Sequence, residues 1–343
     1  MVVIILPSLQ SGGTEWQVYH LARALAPQLS LHVWVYDRVH VDQRLHQALR
    51  DLPGIRLSFG VGAGLRELLQ RRPRLILSYA INYYLPEIAL RLLTGAVLVT
   101  ERRNLYHWLK TQPRRRWQEV WRNRLTCAVV CNSQAVADAV RRTEPDVADR
   151  LHVLHNAVEP FVPEASGRRD TIAAVGNIKP GKGVERVLRA YQILEAEAAE
   201  RGVRFAVYGR CDDASILADF DPAFVQRVYR GQAPREQIFA DTFCLVHLSQ
   251  AEGFPNAVLE ATACGVVPIL SNIAPHRELF NECAVLVDND AAALEAVRRA
   301  LDWPGSAHAT FDRLSARCRA TAAQFSIERR AQRYQDLFDA CLH

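Results

Sequence analysis

Short apolar runs alternate with segments of helical period along the whole chain. After the first run, Val18, Leu21, Ala22 and Leu25 are spaced as on one face of a helix. Runs of four to six apolar residues that alternate with helices in this way indicate parallel β-sheets covered by helices on both faces. The predicted strands are residues 2–6, 31–36, 75–78, 97–100, 127–131, 172–175, 205–208, 244–248, 267–270 and 284–287.

The alternation stops once, in a polar stretch at residues 160–170 with proline, serine and glycine. Such a stretch is typical of a linker, and a length of 343 residues fits two domains of about 150 residues each. We therefore expect one Rossmann-like α/β domain at residues 1–160, a second at 161–325, and a C-terminal helix at 326–343. Ligands of open α/β sheets bind outside the carboxyl ends of the strands, so we look for a site in the strand-to-helix turns.

Composition narrows the class of protein. Hydrophobic residues make up 49% of the chain and charged residues 23%, which is typical of a globular protein and not of a disordered one. No apolar run approaches the roughly 18 residues of a membrane-spanning helix. The eight cysteines form no C-x-x-C pair, so we expect reduced thiols in a cytoplasmic protein and no zinc site.

The charge is unevenly distributed. Residues 1–155 carry 21 Lys and Arg against 12 Asp and Glu, whereas the remainder carries 21 against 25. A basic first half predicts an anionic partner for that half. We expect an anionic acceptor or an anionic membrane surface; nucleic acid is the competing explanation and is not expected as a partner.

The most informative segment is residues 252–260, in which seven residues separate Glu252 from Glu260. Pro255 and Asn256 precede a run of helix formers that stops at Gly265, so a helix begins between the two carboxylates. The N–H groups and the positive dipole end of a helix start favour phosphate. A phosphate flanked by two hydroxyl-binding carboxylates fits a nucleotide sugar, although the two glutamates alone also fit an ordinary helix with an exposed Glu at each end.

Residues 250–271 resemble the signature of the family-4 retaining glycosyltransferases, which have the GT-B fold of two Rossmann-like domains facing each other across a cleft. The resemblance implies that Glu252 contacts the transferred sugar and that Glu260 binds the ribose hydroxyls. It also implies that the last helix crosses back to the first domain. The turn between the two glutamates is expected to contact the donor through Gly253, Phe254, Pro255, Asn256, Ala257 and Val258.

The turn after the strand at 172–175 resembles a second family motif. Lys182 and the glycine after it stand where the family has a Lys-Gly pair that neutralises the diphosphate. Lys182 and Glu252 are therefore the residues expected to be catalytic. Asn177 stands where an arginine is usual and is expected in the donor site, with Lys179 or Arg210 as candidates for the missing cation.

Two turns of the first domain complete the resemblance. After the first strand, Gly12 and Gly13 begin a G-G-x-E turn that implies contact with the donor phosphate. A second turn follows the strand at 97–100, where many family members carry a His that contacts the donor sugar and this chain has none. An acceptor site is expected at Thr14, Glu101, Arg102, Arg103 and Asn104, with a solvated pair of arginines as the alternative.

A basic and aromatic segment lies at residues 107–125. Trp117, Val120, Trp121 and Leu125 are spaced as on one helix face, with cations around them. This pattern fits a helix that rests on an anionic membrane; the alternative is that the tryptophans pack inward and the arginines are solvated. The residues expected at the membrane are Trp108, Arg115, Arg116, Trp117 and Trp121.

The resemblance implies a retaining glycosyltransferase that moves a hexose-type sugar from a nucleoside diphosphate donor, with UDP expected, to a glycan or lipid-linked anionic acceptor in surface polysaccharide or glycolipid synthesis. No metal and no other cofactor is expected, because Asp290 of an Asp-Asn-Asp sequence is expected to cap a helix and not to bind a metal. A nucleotide-sugar epimerase and a non-catalytic binding protein are the alternatives. The expected location is the cytoplasm, peripheral to the membrane.

Overall fold

The structure is a computed structural model that describes residues 1–10, 12–80, 84–105, 113–159, 161 and 169–343, with residues 113–116 described in their backbone alone. The chain divides into two compact units. Unit 1 comprises Met1–Ala157 and Ile327–His343, and unit 2 comprises Val158–Ser326. The predicted linker at 160–170 falls largely outside the described residues.

Unit 1 is built on a parallel sheet. Its strands are β1 (Val2–Leu6), β2 (Leu31–Val35), β3 (Ile55–Phe59), β4 (Leu75–Ser78), β5 (Val97–Arg102), β6 (Thr126–Cys131) and β7 (Leu151–Val153). Its helices begin with α1 (Gly13–Leu25), α2 (Gln43–Arg50), α3 (Val61–Arg71), α4 (Leu85–Thr94), α5 (Pro113–Leu125) and α6 (Gln134–Thr143). Within the described residues the strand order is β3-β2-β1-β4-β5-β6-β7.

Unit 2 repeats the same plan. Its strands are β8 (Thr171–Val175), β9 (Arg204–Tyr208), β10 (Tyr229–Gly231), β11 (Thr242–His247), β12 (Val267–Ser271) and β13 (Val285–Val287). Its helices are α7 (Val184–Glu200), α8 (Ser215–Ala218), α9 (Pro222–Val228), α10 (Arg235–Ala240), α11 (Asn256–Ala263), α12 (Ala274–Phe280), α13 (Asp290–Ala300) and α14 (His308–Ala322). The strand order is β10-β9-β8-β11-β12-β13, the Rossmann order.

The predicted parallel-sheet architecture is confirmed. Each of the ten predicted runs forms a strand, and no strand end differs from the predicted one by more than two residues. The structure adds β3, β7 and β10, and all three lie at sheet edges. An edge strand pairs on one side only and is less buried, so its apolar pattern is weaker than that of a central strand.

The last helix, α15 (Ile327–Leu342), belongs to unit 1. Tyr334 and Phe338 are buried in the same core cluster as Val18 of α1. Arg330 donates from Nη1 to both the backbone oxygen and Oε1 of Gln17, each at 2.9 Å. These contacts make α15 part of the core of unit 1, although it comes from the far end of the chain.

Asn289, and not Asp290, caps helix α13. The Oδ1 of Asn289 accepts from the N–H of Ala292 at 2.9 Å, and the residue has the extended backbone of an N-cap. Asp290 is the first residue of the helix and pairs with Arg186 at 2.5 Å. The expectation for Asp290 was therefore displaced by one residue.

Candidate active site

The strand order of unit 2 brings two loops together. β8 and β11 are neighbours at the centre of the sheet, and the chain leaves β8 toward β9 but leaves β11 toward β12. Open α/β sheets bind ligands at the carboxyl ends of the strands at such a switch point. The two loops that begin there, residues 176–183 and 248–255, contain Lys182 and Glu252.

Gly183 allows the first loop to approach the second. Its φ is +70°, and a Cβ at this position would lie 2.1 Å from the carbonyl oxygen of Leu248. Only glycine fits a left-handed conformation with so little space. The N–H of Gln250 also donates to the carbonyl oxygen of Gly181 at 2.9 Å, so backbone contacts hold the two loops together.

Glu252 lies at the centre of a buried polar cluster, and its contacts all involve one carboxylate oxygen. Oε1 accepts from Nζ of Lys182 at 2.7 Å and from Oγ of Ser249 at 2.7 Å, and it lies 3.0 Å from Nε2 of His247. Within the described residues, Oε2 makes no hydrogen bond. One oxygen is thus fixed by the protein, and the other is left for a ligand.

The carboxyl of Glu252 is ionised throughout the physiological pH range. Burial by itself raises its pKa, but the hydrogen bonds and charges of His247 and Lys182 together outweigh burial and hold the pKa of Glu252 well below its usual range. An ionised carboxylate is a hydrogen-bond acceptor only. Oε2 is therefore suited to accept from a hydroxyl of a bound sugar, and Glu252 is poorly suited to donate a proton.

Glu260 lies on the other side of the start of α11 and is half-buried. Burial raises the pKa of Glu260 to about 7, against the charge of Arg235 and with that of Glu236. Arg235 also pairs with Glu236 at 3.0 Å. Near neutral pH this carboxyl is present in both protonation states.

The turn between the two glutamates has both buried and half-exposed residues. Phe254 is buried and meets Phe325 edge-on at a ring distance of 6.2 Å. Val258 is buried in the core of unit 2. Pro255 occupies the N-cap position of α11 and its own side chain makes no capping hydrogen bond. The predicted donor contacts at Gly253, Asn256 and Ala257 fall on half-exposed residues.

Asn177 is tied to the loop after β9. Its Nδ2 donates to Asp212 at 3.1 Å, and Asp212 pairs with Nε of Arg210 at 2.5 Å. The Arg210 side chain is about half exposed and Lys179 is exposed. Both candidate replacement cations therefore lie on the two loops beside Asn177, and neither contacts Glu252.

The glycine turn of unit 1 begins α1. Gly12 is the N-cap, and the Glu15 carboxylate lies 2.5 Å from where a Cβ of Gly12 would be. The pKa of Glu15 is raised, because burial outweighs a backbone hydrogen bond and the charge of Arg103, which both lower it. Gly13 is exposed and Thr14 is half-buried, so both have surface open to solvent in unit 1.

Arg102 and Glu101 are core residues and are not available to an acceptor. Arg102 is completely buried and donates to Oε2 of Glu144 at 2.8 Å and to Oδ1 of Asn123 at 2.9 Å. Glu101 is buried and accepts a short hydrogen bond from the hydroxyl of Tyr334. The expectation that these two side chains bind an acceptor is corrected, because both are engaged inside unit 1.

The rest of that turn is closer to the surface. Arg103 donates to Oδ1 of Asn156 at 2.8 Å, and its guanidinium lies 5.4 Å from the ring centre of Tyr79. About 9% of its side chain is exposed. Asn104 is exposed.

One face of α5 is anchored in the core of unit 1. Arg122 is buried, pairs with Glu87 and lies over the ring of Tyr84 at 4.4 Å. Trp117 and Trp121 are 54% and 53% exposed. The tryptophans do not pack inward, and Arg122 is not one of the solvated cations.

The remaining residues expected at a membrane are not described at side-chain level. Trp108 lies outside the described residues, and Arg115 and Arg116 are described only as backbone in α5. The neighbouring helix α4 exposes Leu92 and Leu93. No helix in the described part of the chain combines the length and the apolar character needed to cross a bilayer.

The sequence assigned no role to His247 or His276, and Ser249 was not considered as a candidate. His247 is the last residue of β11, and Ser249 follows two residues later. Both side chains lie within hydrogen-bond distance of Oε1 of Glu252. The ring of His276 packs edge-on against His247 at 5.6 Å. A histidine and a serine two residues apart at the end of a central strand, just before the motif glutamate, was the available signal.

No metal cluster is evident in the described part of the chain. No group of three His, Cys, Asp or Glu side chains there is placed to hold a metal ion. Asp288 accepts from the amide of Asn272 at 2.6 Å, while Asp290 pairs with Arg186. The two aspartates of this segment therefore have separate partners.

Comparison with known proteins gives two family matches, one in each unit. Residues 11–160 match the family described as "Glycosyltransferase Family 4". Residues 169–302 match the family described as "Glycosyl transferases group 1". Both loops of the Lys182–Glu252 cluster lie inside the second match.

Curated relatives and a solved structure extend these matches. The GDP-mannose:cellobiosyl-diphosphopolyprenol alpha-mannosyltransferases of Komagataeibacter xylinus and Xanthomonas campestris are each 28% identical, over 66% of this chain. The chain spans less than two thirds of their length, 62% and 64% respectively. Anabaena HepE, solved with UDP and glucose, superposes with a TM-score of 0.81 at 16% identity, over 98% of this chain and 99% of its own.

Proposed function

Because the chain belongs to glycosyltransferase family 4 and has the GT-B fold, we propose that it is a retaining hexosyltransferase with a nucleoside diphosphate sugar as donor. The observation that supports this most directly is the state of Glu252. Its Oε1 is held by Lys182 and Ser249, and Oε2 makes no hydrogen bond within the described residues. An ionised acceptor beside a cation, at the switch point of the sheet, suits a sugar hydroxyl next to a phosphate.

GDP-mannose is the donor that we favour. Two sequence relatives are named as GDP-mannose-dependent mannosyltransferases, whereas HepE, which was solved with UDP and glucose, is only 16% identical to this chain. Sequence relatives are the better guide to substrate, because a shared fold hosts many functions. UDP-hexose, the donor expected in the sequence analysis, is the second candidate.

Transfer in this proposal depends on positioning and on charge. Glu252 accepts a hydrogen bond from the sugar, Glu260 accepts from the ribose, and Lys182 faces the diphosphate. As the bond from the anomeric carbon to the phosphate oxygen breaks, negative charge develops on the leaving phosphate, and a nearby ammonium stabilises it. The acceptor hydroxyl attacks from the same face and gives its proton to the leaving phosphate, so the configuration is retained.

The proposed acceptor is a glycan carried on a lipid diphosphate. The two mannosyltransferase relatives are named for a diphosphopolyprenol-linked acceptor, which is both anionic and lipid-linked. A basic unit 1 suits such a partner. We place the enzyme in surface polysaccharide or glycolipid synthesis, with acceptor contacts at Thr14, Arg103 and Asn104.

The exposed apolar faces of α4 and α5 support a peripheral position on the membrane. Trp117, Trp121, Leu92 and Leu93 are all exposed, and three arginines lie in the first turn of α5. Tryptophan at the interface together with basic residues is the composition that binds an anionic bilayer from one side.

The proposal is tested by a transfer assay with GDP-mannose and UDP-glucose and a synthetic glycosyl diphospholipid. We expect the wild-type protein to transfer one of the two sugars, and Glu252→Gln to lower kcat by about 100-fold or more, while nucleotide binding is retained. Glu282→Gln, the same change at an exposed residue of unit 2, serves as control. Near-normal turnover by Glu252→Gln would exclude the assigned role.

A further inference from the structure

The partners of Glu252 Oε1 differ in how firmly they are held. Lys182 is about one quarter exposed and reaches the carboxylate through a flexible four-carbon chain. His247 and Ser249 are buried and lie at or just after the end of β11. The Oγ of Ser271 donates to the carbonyl oxygen of Ser249 at 2.5 Å, which ties this backbone to the end of the neighbouring strand β12.

The cluster also restricts where its protons lie. The ionised carboxylate of Glu252 has no proton to give, and the Ser249 hydroxyl donates its single proton to Oε1 at 2.7 Å. The Nε2 of His247, which lies 3.0 Å from both Oε1 and the Ser249 oxygen, therefore carries a hydrogen that points toward them. Both buried side chains act as donors to the same carboxylate.

His276 packs against the ring of His247. Its own Nδ1 lies 2.8 Å from the carbonyl oxygen of Ser271, and its ring meets that of His247 edge-on. Burial and the neighbouring His247 lower the pKa of His276 to about 4, so His276 is neutral at physiological pH. It supports the cluster by packing and adds no positive charge to compete with Lys182.

From these contacts we propose that His247 and Ser249 are positioning residues for Glu252, a role that rests on the function proposed above. They hold Oε1 so that Oε2 stays available to the sugar, and they do so independently of Lys182. Lys182 can then turn its ammonium to the donor diphosphate without releasing the carboxylate. A donor that recruits Lys182 would otherwise loosen the group that binds its own sugar.

The proposal predicts that a hydrogen-bond donor, and not an imidazole as such, is needed at position 247. We expect His247→Leu to lower kcat about 10- to 100-fold, because Glu252 is then held by fewer groups when Lys182 engages the phosphate. The KM for the donor and the affinity for the free nucleoside diphosphate should stay within about twofold of wild type. His247→Gln, whose amide can donate to Oε1, should recover most of the lost turnover.

The experiment is steady-state transfer with the full-length protein, combined with calorimetry of the nucleoside diphosphate and thermal melting. His308→Leu, the same change at an exposed histidine of unit 2, is the matched control and should behave as wild type. Nucleotide binding by His247→Leu establishes that this variant is folded.

Two results would overturn this inference and leave the proposed function intact. The first is an active wild type whose kcat is matched by His247→Leu. The second is a His247→Gln variant whose kcat is no higher than that of His247→Leu, although both variants bind the nucleotide. A wild type that transfers no sugar would instead overturn the proposed function, and this inference with it.

Discussion

At the scale of single residues, the pKa values of the two motif glutamates are shifted in opposite directions. Glu252 is held ionised by His247 and Lys182 although it is buried. Burial dominates at Glu260 and raises its pKa to about 7. The first is a permanent acceptor, whereas the second changes its hydrogen-bonding capacity near neutral pH.

Glu260 should make nucleotide affinity depend on pH. Ribose hydroxyls donate best to an ionised carboxylate, so binding favours the deprotonated form of Glu260. Because its pKa is raised in the free protein, the affinity should increase as pH rises from about 5.5 to about 8, with proton release on binding at the lower end. Calorimetry of GDP or UDP across this range measures the effect.

The control for this prediction is Glu260→Gln, which has no proton to lose. The nucleotide phosphate also titrates near pH 6, but it does so equally in both proteins. The difference between wild type and variant therefore isolates Glu260. Identical pH dependence in the two proteins would show that this carboxyl does not take part.

Residues in a continuous motif were predictable from sequence, and side-chain direction was not. Lys182 and Glu252 came from two motifs, and the structure places them 2.7 Å apart. The sequence predicted Arg102 in a polar turn after the strand at 97–100, but Arg102 is the last residue of β5. Its side chain is held in the core by Glu144 and Asn123, both distant in sequence. The environment of His247 likewise depends on β12 and α12, which no local pattern reveals.

At the scale of elements, the loop between β8 and α7 depends on a glycine that lets it touch the loop after β11. We expect Gly183→Ala to displace Lys182, because the new Cβ would lie 2.1 Å from the Leu248 carbonyl oxygen. Nucleotide affinity should fall about tenfold or more, through the lost ammonium contact with phosphate. Calorimetry with GDP or UDP provides the measurement.

Gly181 is a matched control within the same loop. Its φ of +83° is also left-handed, but a Cβ there meets nothing within 4 Å. Gly181→Ala therefore carries a similar backbone cost of about 1–2 kcal/mol without the clash. If both variants weakened binding equally, the close approach to Leu248 would not be the reason for the glycine.

The existence of a strand was predicted best where the strand is central. β1, β4, β11 and β12 are almost wholly apolar and buried, and the sequence pattern finds all four. β7 and β10 are three-residue edge strands with an exposed middle residue. Their pairing comes from the sheet already formed beside them, so a local pattern carries little signal.

At the scale of the whole molecule, the chain is two Rossmann-like units of different charge, and the final helix completes the first. The alternation of strands and helices predicted the parallel sheets, because that pattern repeats along the sequence. The buried ion pairs of unit 1, such as Arg122 with Glu87, were not predictable. They depend on which faces of α4 and α5 turn inward.

The exposed tryptophans of α5 should bind the whole protein to anionic vesicles. We expect the double change Trp117→Ser and Trp121→Ser to lower the partition coefficient roughly tenfold or more, because two interfacial side chains are lost. Binding of the wild type should weaken with added salt, since lipid charge attracts the basic residues. Vesicle sedimentation measures both effects.

Ile193→Ser is the control for this prediction. Ile193 is also exposed, at 60%, but it lies in unit 2, and its replacement should leave vesicle binding unchanged. Equal partitioning of the wild type and the double tryptophan variant would exclude α5 as the membrane contact.

The central claim is that unit 2 holds a nucleoside diphosphate sugar at the Lys182–Glu252 cluster. Calorimetric titration of GDP and UDP into the wild type and into Lys182→Met tests it most directly. We predict that one of the two nucleotides binds the wild type and that Lys182→Met weakens its binding about tenfold or more. The account would be contradicted if neither nucleotide bound the wild type, or if Lys182→Met bound the nucleotide as tightly as the wild type does.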